Sequence, residues 1–134
     1  MAATHLADVS AWAQLHRTEV AVRLVSLFVG GATATCAITD LEVAASAVDA
    51  PEHRDLLEER RSFPRVPVDD AVLDRALEVQ GLLTDAPVPV TALIVAAAAE
   101  RAGLVLLHHD AAFDRIAAAT GQPTEWVDEA GPTG

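Results

Sequence analysis

Residues 104–107, Leu-Val-Leu-Leu, are apolar at every position. A strand turns successive side chains to opposite faces, so a run without polar alternation needs cover on both. This run follows the helical segment 91–103, "TALIVAAAAERAG", which ends at Gly103. A helix feeding a doubly covered strand predicts an α/β protein with a parallel sheet between helices. The strand closes on His108, His109 and Asp110. In open parallel sheets ligands gather beyond the carboxyl ends of the strands, so Asp110 stands where a site belongs.

The rest of the chain alternates in the same way. Residues 4–7 read as a short strand ending at Asp8, and "SAWAQL" as a helix with Ser10 at its N-cap. Residues 19–29 carry apolar side chains at helical spacing and stop at Gly30 and Gly31. The β-branched stretch 32–37 reads as a strand, and 39–48 as a helix opened by Thr39. A charged helix over 51–63 has Pro51 in its first turn; 65–68 is a short extended piece. An amphipathic helix over 69–83 is capped by Asp69 or Asp70, and a two-proline loop follows. The helix 111–121 and a last short strand, 124–127, complete the pattern. The chain of 134 residues suits one domain, placed at 1–128, with 129–134 expected to be a flexible Gly/Pro-containing tail.

Charge removes several classes. Twenty acids face nine bases, a net charge of −11, and every base is Arg. A broad electrostatic grip on nucleic acid is not supported, although local Arg clusters remain, at 54, 60, 61 and 65. The default reading of these four is a solvated helix face; support for RNA or an acidic partner is the rival. Receiver domains and haloacid-dehalogenase phosphatases also set acids at strand ends, but they depend on a Lys and this chain has none. The longest apolar run, 90–99, is too short to span a bilayer, and no signal peptide is evident at the N-terminus. A single cysteine, Cys36, fits a buried strand position in a reducing cytoplasm.

Asp8 and Asp110 both end strands; Asp114 lies one helical turn beyond Asp110, and Glu42 sits early on the helix after the second strand. Four carboxylates around one hollow would repel one another unless a cation neutralised them. Mg²⁺ or Mn²⁺ matches an all-oxygen donor set, and such an ion supports phosphodiester hydrolysis. Each acid also has a purely structural role open to it. Asp8 and Asp110 can cap helices, Glu42 has capping-box spacing from Thr39, and Asp114 suits a helix dipole. His108 and His109, adjacent on a strand, point to opposite faces and are read as packing or RNA-contact residues rather than a shared metal site.

The segments "LADVSAW", "ITDLEVAASA" and "LVLLHHDAAFDRIAAATGQPTEW" together resemble the PIN-domain ribonucleases, in particular the VapC toxins of type II (VapBC) toxin–antitoxin modules. The resemblance runs from about residue 5 to residue 127, and the final segment is its most specific part. It implies a PIN-like three-layer α/β/α arrangement, with a mainly parallel sheet of four to five short strands and about seven helices. It also implies Mg²⁺- or Mn²⁺-dependent endoribonuclease activity on tRNA, rRNA or mRNA, inhibition by a VapB-like antitoxin, and commonly a homodimer. Residue by residue, Asp8 matches the first acid, a metal ligand, and Glu42 the second, which helps position metal and water. Asp110 matches the last acid, a metal ligand, with Asp114 beside it; Ser10 matches the small polar residue that steadies the first.

One position departs from the family pattern. An Asp usually opens the helix before the last long strand, and ungapped alignment of "TALIVAAAA" puts Ala92 there. The family's basic pair before this loop is also missing. Ala92 is either a natural divergence or an introduced Asp→Ala change. Either way, loss of one carboxylate predicts weak Mg²⁺ binding and little cleavage. The rival expectation is a non-catalytic PIN-fold module kept for binding antitoxin or RNA.

Overall fold

The computed structural model describes residues 2–128; the expected tail at 129–134 lies outside them. In chain order the elements are β1 (His5–Ala7), α1 (Val9–Trp12), α2 (Thr18–Val29), β2 (Thr33–Ala34), α3 (Ala37–Ala44) and α4 (Ala50–Arg60). There follow α5 (Asp70–Leu82), α6 (Val90–Arg101), β3 (Val105–His108), α7 (Ala112–Thr120) and β4 (Thr124–Trp126). The four strands form one parallel sheet in the order β2-β1-β3-β4. This is the expected α/β architecture, with four strands and seven helices among the described residues.

The period of the strands divides the core in two. Leu6 and Leu106 face one side, where they join residues of α5, α6 and α7. Their neighbours Ala7 and Leu107 face the other, with Ala11 of α1, Val20 and Leu24 of α2, and Val127. The uninterrupted apolar run of β3 is thus covered on both faces. Full burial of Leu24 and Phe113 contributes about 2–3 kcal/mol each. Helix α6 lies against the sheet through Val95 and the run Ala96, Ala97, Ala98 and Ala99, all buried. Alanine favours the helix and lets its backbone approach closely, so larger residues there would overpack the layer.

Several local expectations shift. Helix α1 is capped by Asp8 rather than by Ser10, because the Asp8 carboxylate accepts the Ser10 N–H at 2.9 Å. Helix α3 begins at Ala37 after Cys36, so Thr39 is buried inside it and Glu42 is not the third residue after a cap. The β-branched run keeps only Thr33–Ala34 as strand; Thr35 pairs instead with Arg65 in an isolated parallel bridge. Within the extended piece 65–68, pairing is confined to that bridge, with the Val66 N–H donating to the Thr35 carbonyl. Asp69 is the cap of α5, accepting the Val72 N–H. Helix α2 ends at Gly30, and Gly31 turns the chain with φ of 68°, a conformation glycine adopts without strain. No helix among the described residues is long and apolar enough to cross a membrane.

Topology decides what meets at the carboxyl edge of the sheet. Helices α1, α3 and α7 leave strands at that edge. Helix α6 runs back to feed β3, so its N-terminus lies at the same edge.

Candidate active site

Asp8 follows β1 directly. Its N–H donates to the Leu107 carbonyl at 2.9 Å, which seats the residue beside the end of β3. Its carboxylate is buried, 5% exposed, and caps α1 as well as facing the edge. Burial pushes the Asp8 carboxyl above its usual range; hydrogen bonds from Ser10 and Val9 oppose this, and the Asp110 charge adds to it. Glu42 is half-buried on α3, and its carboxyl is raised by burial and then by the Asp8 charge. Burial is the main cause at both residues, and the neighbouring charges of Asp110 on Asp8 and of Asp8 on Glu42 add to it.

Asp110 lies just past β3, exposed, with Oδ1 accepting the Ala112 N–H at 2.9 Å. Like Asp8, it is both a helix-start acceptor and a member of the acidic group. Asp114 is in the first turn of α7, where its Oδ1 accepts the Trp126 Nε1–H at 3.2 Å. Asp110 and Asp114 both act on His108, whose imidazole is nonetheless pushed down by burial, their charges only partly offsetting it. Ser10 connects the two halves. Its N–H meets Asp8, and its Oγ accepts the backbone N–H of His109 at 2.9 Å.

The two histidines serve packing, not a common ion. His108 is fully buried, in tilted ring contact with Phe113 and Trp126, with Nδ1 accepting the Asp110 N–H. His109 points elsewhere, toward Asp128 at 3.2 Å. Asp128 is buried; Arg17 at 2.6 Å and His109 hold its carboxyl below the usual range against the upward push of burial. Nothing in the sequence pairs Arg17 with Asp128, which are 111 positions apart.

Ala92 is the third residue of α6, 7% exposed. The helix has no side-chain cap and no acidic residue in its first turn. An aspartate at this position would meet the positive end of the helix dipole. As they stand, no three His, Cys, Asp or Glu side chains among the described residues are grouped closely enough to hold a metal ion. The oxygens of Asp8 and Glu42 are the donor type a hard divalent cation takes, but in this arrangement the acids are not gathered into such a group.

A second charged group escaped the sequence. Asp40 is buried and accepts from Thr35 Oγ1 at 2.8 Å, Arg60 Nε at 3.0 Å and Arg65 Nη2 at 2.6 Å. Burial alone would raise the Asp40 carboxyl, but Arg65, Thr35 and Arg60 hold it below the usual range. Arg60 is only 3% exposed, with its guanidinium 4.4 Å from the Phe63 ring centre and 5.0 Å from that of Trp12. The solvated-face reading of Arg54, Arg60, Arg61 and Arg65 is therefore corrected at Arg60, a core cation locked by α3 and two aromatic rings.

Comparison with known proteins agrees with this fold. The PIN domain profile matches residues 6–119. The chain belongs to the PIN-domain family. Within that family it is similar to Ribonuclease VapC21 of Mycobacterium tuberculosis, 42% identical, covering 95% of this chain and 96% of the relative. Ribonuclease VapC51 of the same organism is 40% identical and covers 98% of each chain. Among solved structures, the DNA-bound VapBC of Salmonella typhimurium contains a chain of the same fold, with a TM-score of 0.76 at 15% identity, covering 94% of this chain and 99% of that one. The similarity spans nearly the whole chain, as the resemblance over residues 5–127 implied.

Proposed function

We propose that this chain is a VapC-like endoribonuclease toxin in architecture, with Asp8, Glu42, Asp110 and Asp114 as its acidic site and activity impaired by Ala92. The observation carrying this reading is the placement of Asp8 and Asp110 directly after the adjacent parallel strands β1 and β3, with Ser10 bonded to both Asp8 and His109. The extensive similarity to proteins named as ribonucleases supports it. Asp8 and Asp110 would hold Mg²⁺ or Mn²⁺, with Glu42 and Asp114 contributing directly or through water. When bound, such an ion polarises a phosphoryl oxygen and activates a water for attack. The chain's own contribution is positioning. Ser10 fixes the Asp8 carboxylate against the end of β3, and Trp126 holds Asp114 by its indole N–H. Ala92 leaves this arrangement one carboxylate short, so little charge compensation is available to an ion.

The substrate class in this reading is cellular RNA. The neutralising partner is a VapB-like antitoxin, by analogy with solved VapBC complexes of the same fold. A homodimer and a cytoplasmic location complete the proposal. The competing reading is a non-catalytic PIN-fold module that binds antitoxin or RNA, favoured by the lack of a ready ion cluster among the described residues.

The Ala92→Asp protein separates the two. Mg²⁺-dependent RNA cleavage and growth arrest gained by this single change establish the nuclease reading. No cleavage with either Mg²⁺ or Mn²⁺, and no growth arrest, leaves the binding module.

A further inference from the structure

Between α3 and α4 is a hollow of about 290 Å³, walled by Asp40, Leu57, Arg60, Arg61, Phe63 and Arg65. Three guanidinium groups face one carboxylate there, in a chain with more than twice as many acids as bases. The fold accounts for Arg60. Its Nε serves Asp40, its Nη2 serves Thr35, and its plane lies against Trp12 and Phe63. It accounts for Arg65 only in part, through one Nη2 on Asp40, and gives Arg61 no ion pair among the described residues. Asp40 already accepts from Thr35 and Arg60, yet Arg65 spends one Nη2 on it while its side chain stays 57% exposed. Arg61 is exposed on the same wall and forms no ion pair among the described residues. The remaining donors, including Arg60 Nη1, have no protein acceptor there.

Free guanidinium edges around a small concavity match the oxygens of a phosphate, which accept paired N–H groups. The place of the hollow matters as well. Trp12, whose ring lies 5.0 Å from the Arg60 guanidinium, is one helical turn beyond Asp8 on α1. Asp40 shares α3 with Glu42, two positions away, so the same two helices that carry Asp8 and Glu42 also border the hollow.

We propose that the hollow binds a backbone phosphate of single-stranded RNA, with Arg61 and Arg65 as the binding residues and Arg60 holding the wall in place. This rests on the RNA-directed reading above and adds a second contact, outside the acidic group, that sets the path of the strand. It also resolves a tension in the composition. An acidic protein need not attract nucleic acid broadly if it presents one local cluster of cations.

The test is an anisotropy titration of a labelled single-stranded RNA oligonucleotide against the parent chain, Arg61→Gln, Arg65→Gln and the control Arg101→Gln. Arg101 is exposed in the last turn of α6, at the end remote from Ala92. The two hollow variants are expected to bind about three- to tenfold more weakly, with the salt slope reduced by about 0.7 per lost contact. The control should stay within about twofold of the parent. Arg61 makes no ion pair among the described residues, so Arg61→Gln keeps the test valid even if Arg65→Gln loosens the Asp40 cluster. Equal affinities for all variants, or no RNA binding by the parent at low salt, overturn the proposal. So does an unchanged RNA affinity with weakened antitoxin binding, which would assign the hollow to an acidic protein partner. The same substitutions placed in the Ala92→Asp protein separate this proposal from the nuclease reading. Cleavage with an unchanged KM sinks only the hollow, whereas absent cleavage with weakened binding sinks only the nuclease.

Discussion

The Ser10 hydroxyl accepts the backbone N–H of His109 at 2.9 Å, across 99 positions of sequence. The same residue donates its own N–H to Asp8. One small side chain thus ties the start of α1 to the end of β3, the two places from which the acids Asp8 and Asp110 project. Ser10→Ala leaves the His109 N–H without its acceptor and is expected to cost about 1–2 kcal/mol. Urea unfolding of the two proteins measures this. A loss below about 0.3 kcal/mol would mean that water replaces the hydroxyl without cost.

Ala92→Asp should be tolerated by the fold as well as informative about function. The new carboxylate enters the first turn of a helix that has neither an acid nor a side-chain cap there. The dipole interaction contributes about 0.3–1 kcal/mol, against the cost of desolvating a position only 7% exposed. The expected result is a protein whose melting temperature at neutral pH rises on addition of Mg²⁺, while that of the parent hardly moves. Thermal melts with and without Mg²⁺, followed by EDTA, check it; equal shifts in both proteins count against a role for position 92 in holding the ion.

The acidic group should make stability fall as pH rises. Burial and neighbouring charge raise the carboxyls of Asp8 and Glu42 in the folded protein. Protonated, they stabilise the fold, fully so below the ordinary carboxylate value of about 4. That stability is lost as pH rises through the raised folded values. Asp8→Asn keeps an oxygen to cap α1 but carries no charge. Its melting temperature is expected to exceed the parent's at pH 7 and to converge with it by about pH 4. A variant less stable than the parent at neutral pH would show that capping by the charged form outweighs desolvation.

Asp40 behaves in the opposite sense. Its folded carboxyl is lowered, so its contribution is present above the ordinary carboxylate value and disappears as pH falls through the lowered one. Asp40→Ala strands a buried Arg60 and is expected to cost about 3–5 kcal/mol at neutral pH, with a smaller difference in acid. Denaturant titrations at neutral and acidic pH check both parts. A double variant, Asp40→Leu with Arg60→Met, should recover much of the loss, since a buried ion pair is often replaceable by apolar residues of similar volume.

Much of the layout was legible locally. An uninterrupted apolar strand forces cover on both faces, and a parallel sheet then places whatever follows its strands at one edge. Asp8 and Asp110 could be located on that ground alone, and the position of Ala92 followed from the resemblance of its helix to a family pattern. Caps were less legible, because Asp8 and Ser10 are both good N-cap residues and only backbone geometry selects between them.

What the tertiary structure decided are the pairings between distant charges. Arg60 is a core cation because α4 folds back on α3 and brings it to Asp40, 20 positions earlier. Read along its own helix, it is one Arg among several on a charged surface. Arg17 with Asp128, and Ser10 with His109, belong to the same class. Hydrophobic period and turn chemistry are properties of neighbouring residues, so sequence by itself determined the layers and the edge. The burial and partnering of a charge depend on which elements meet in space, and packing alone settled them.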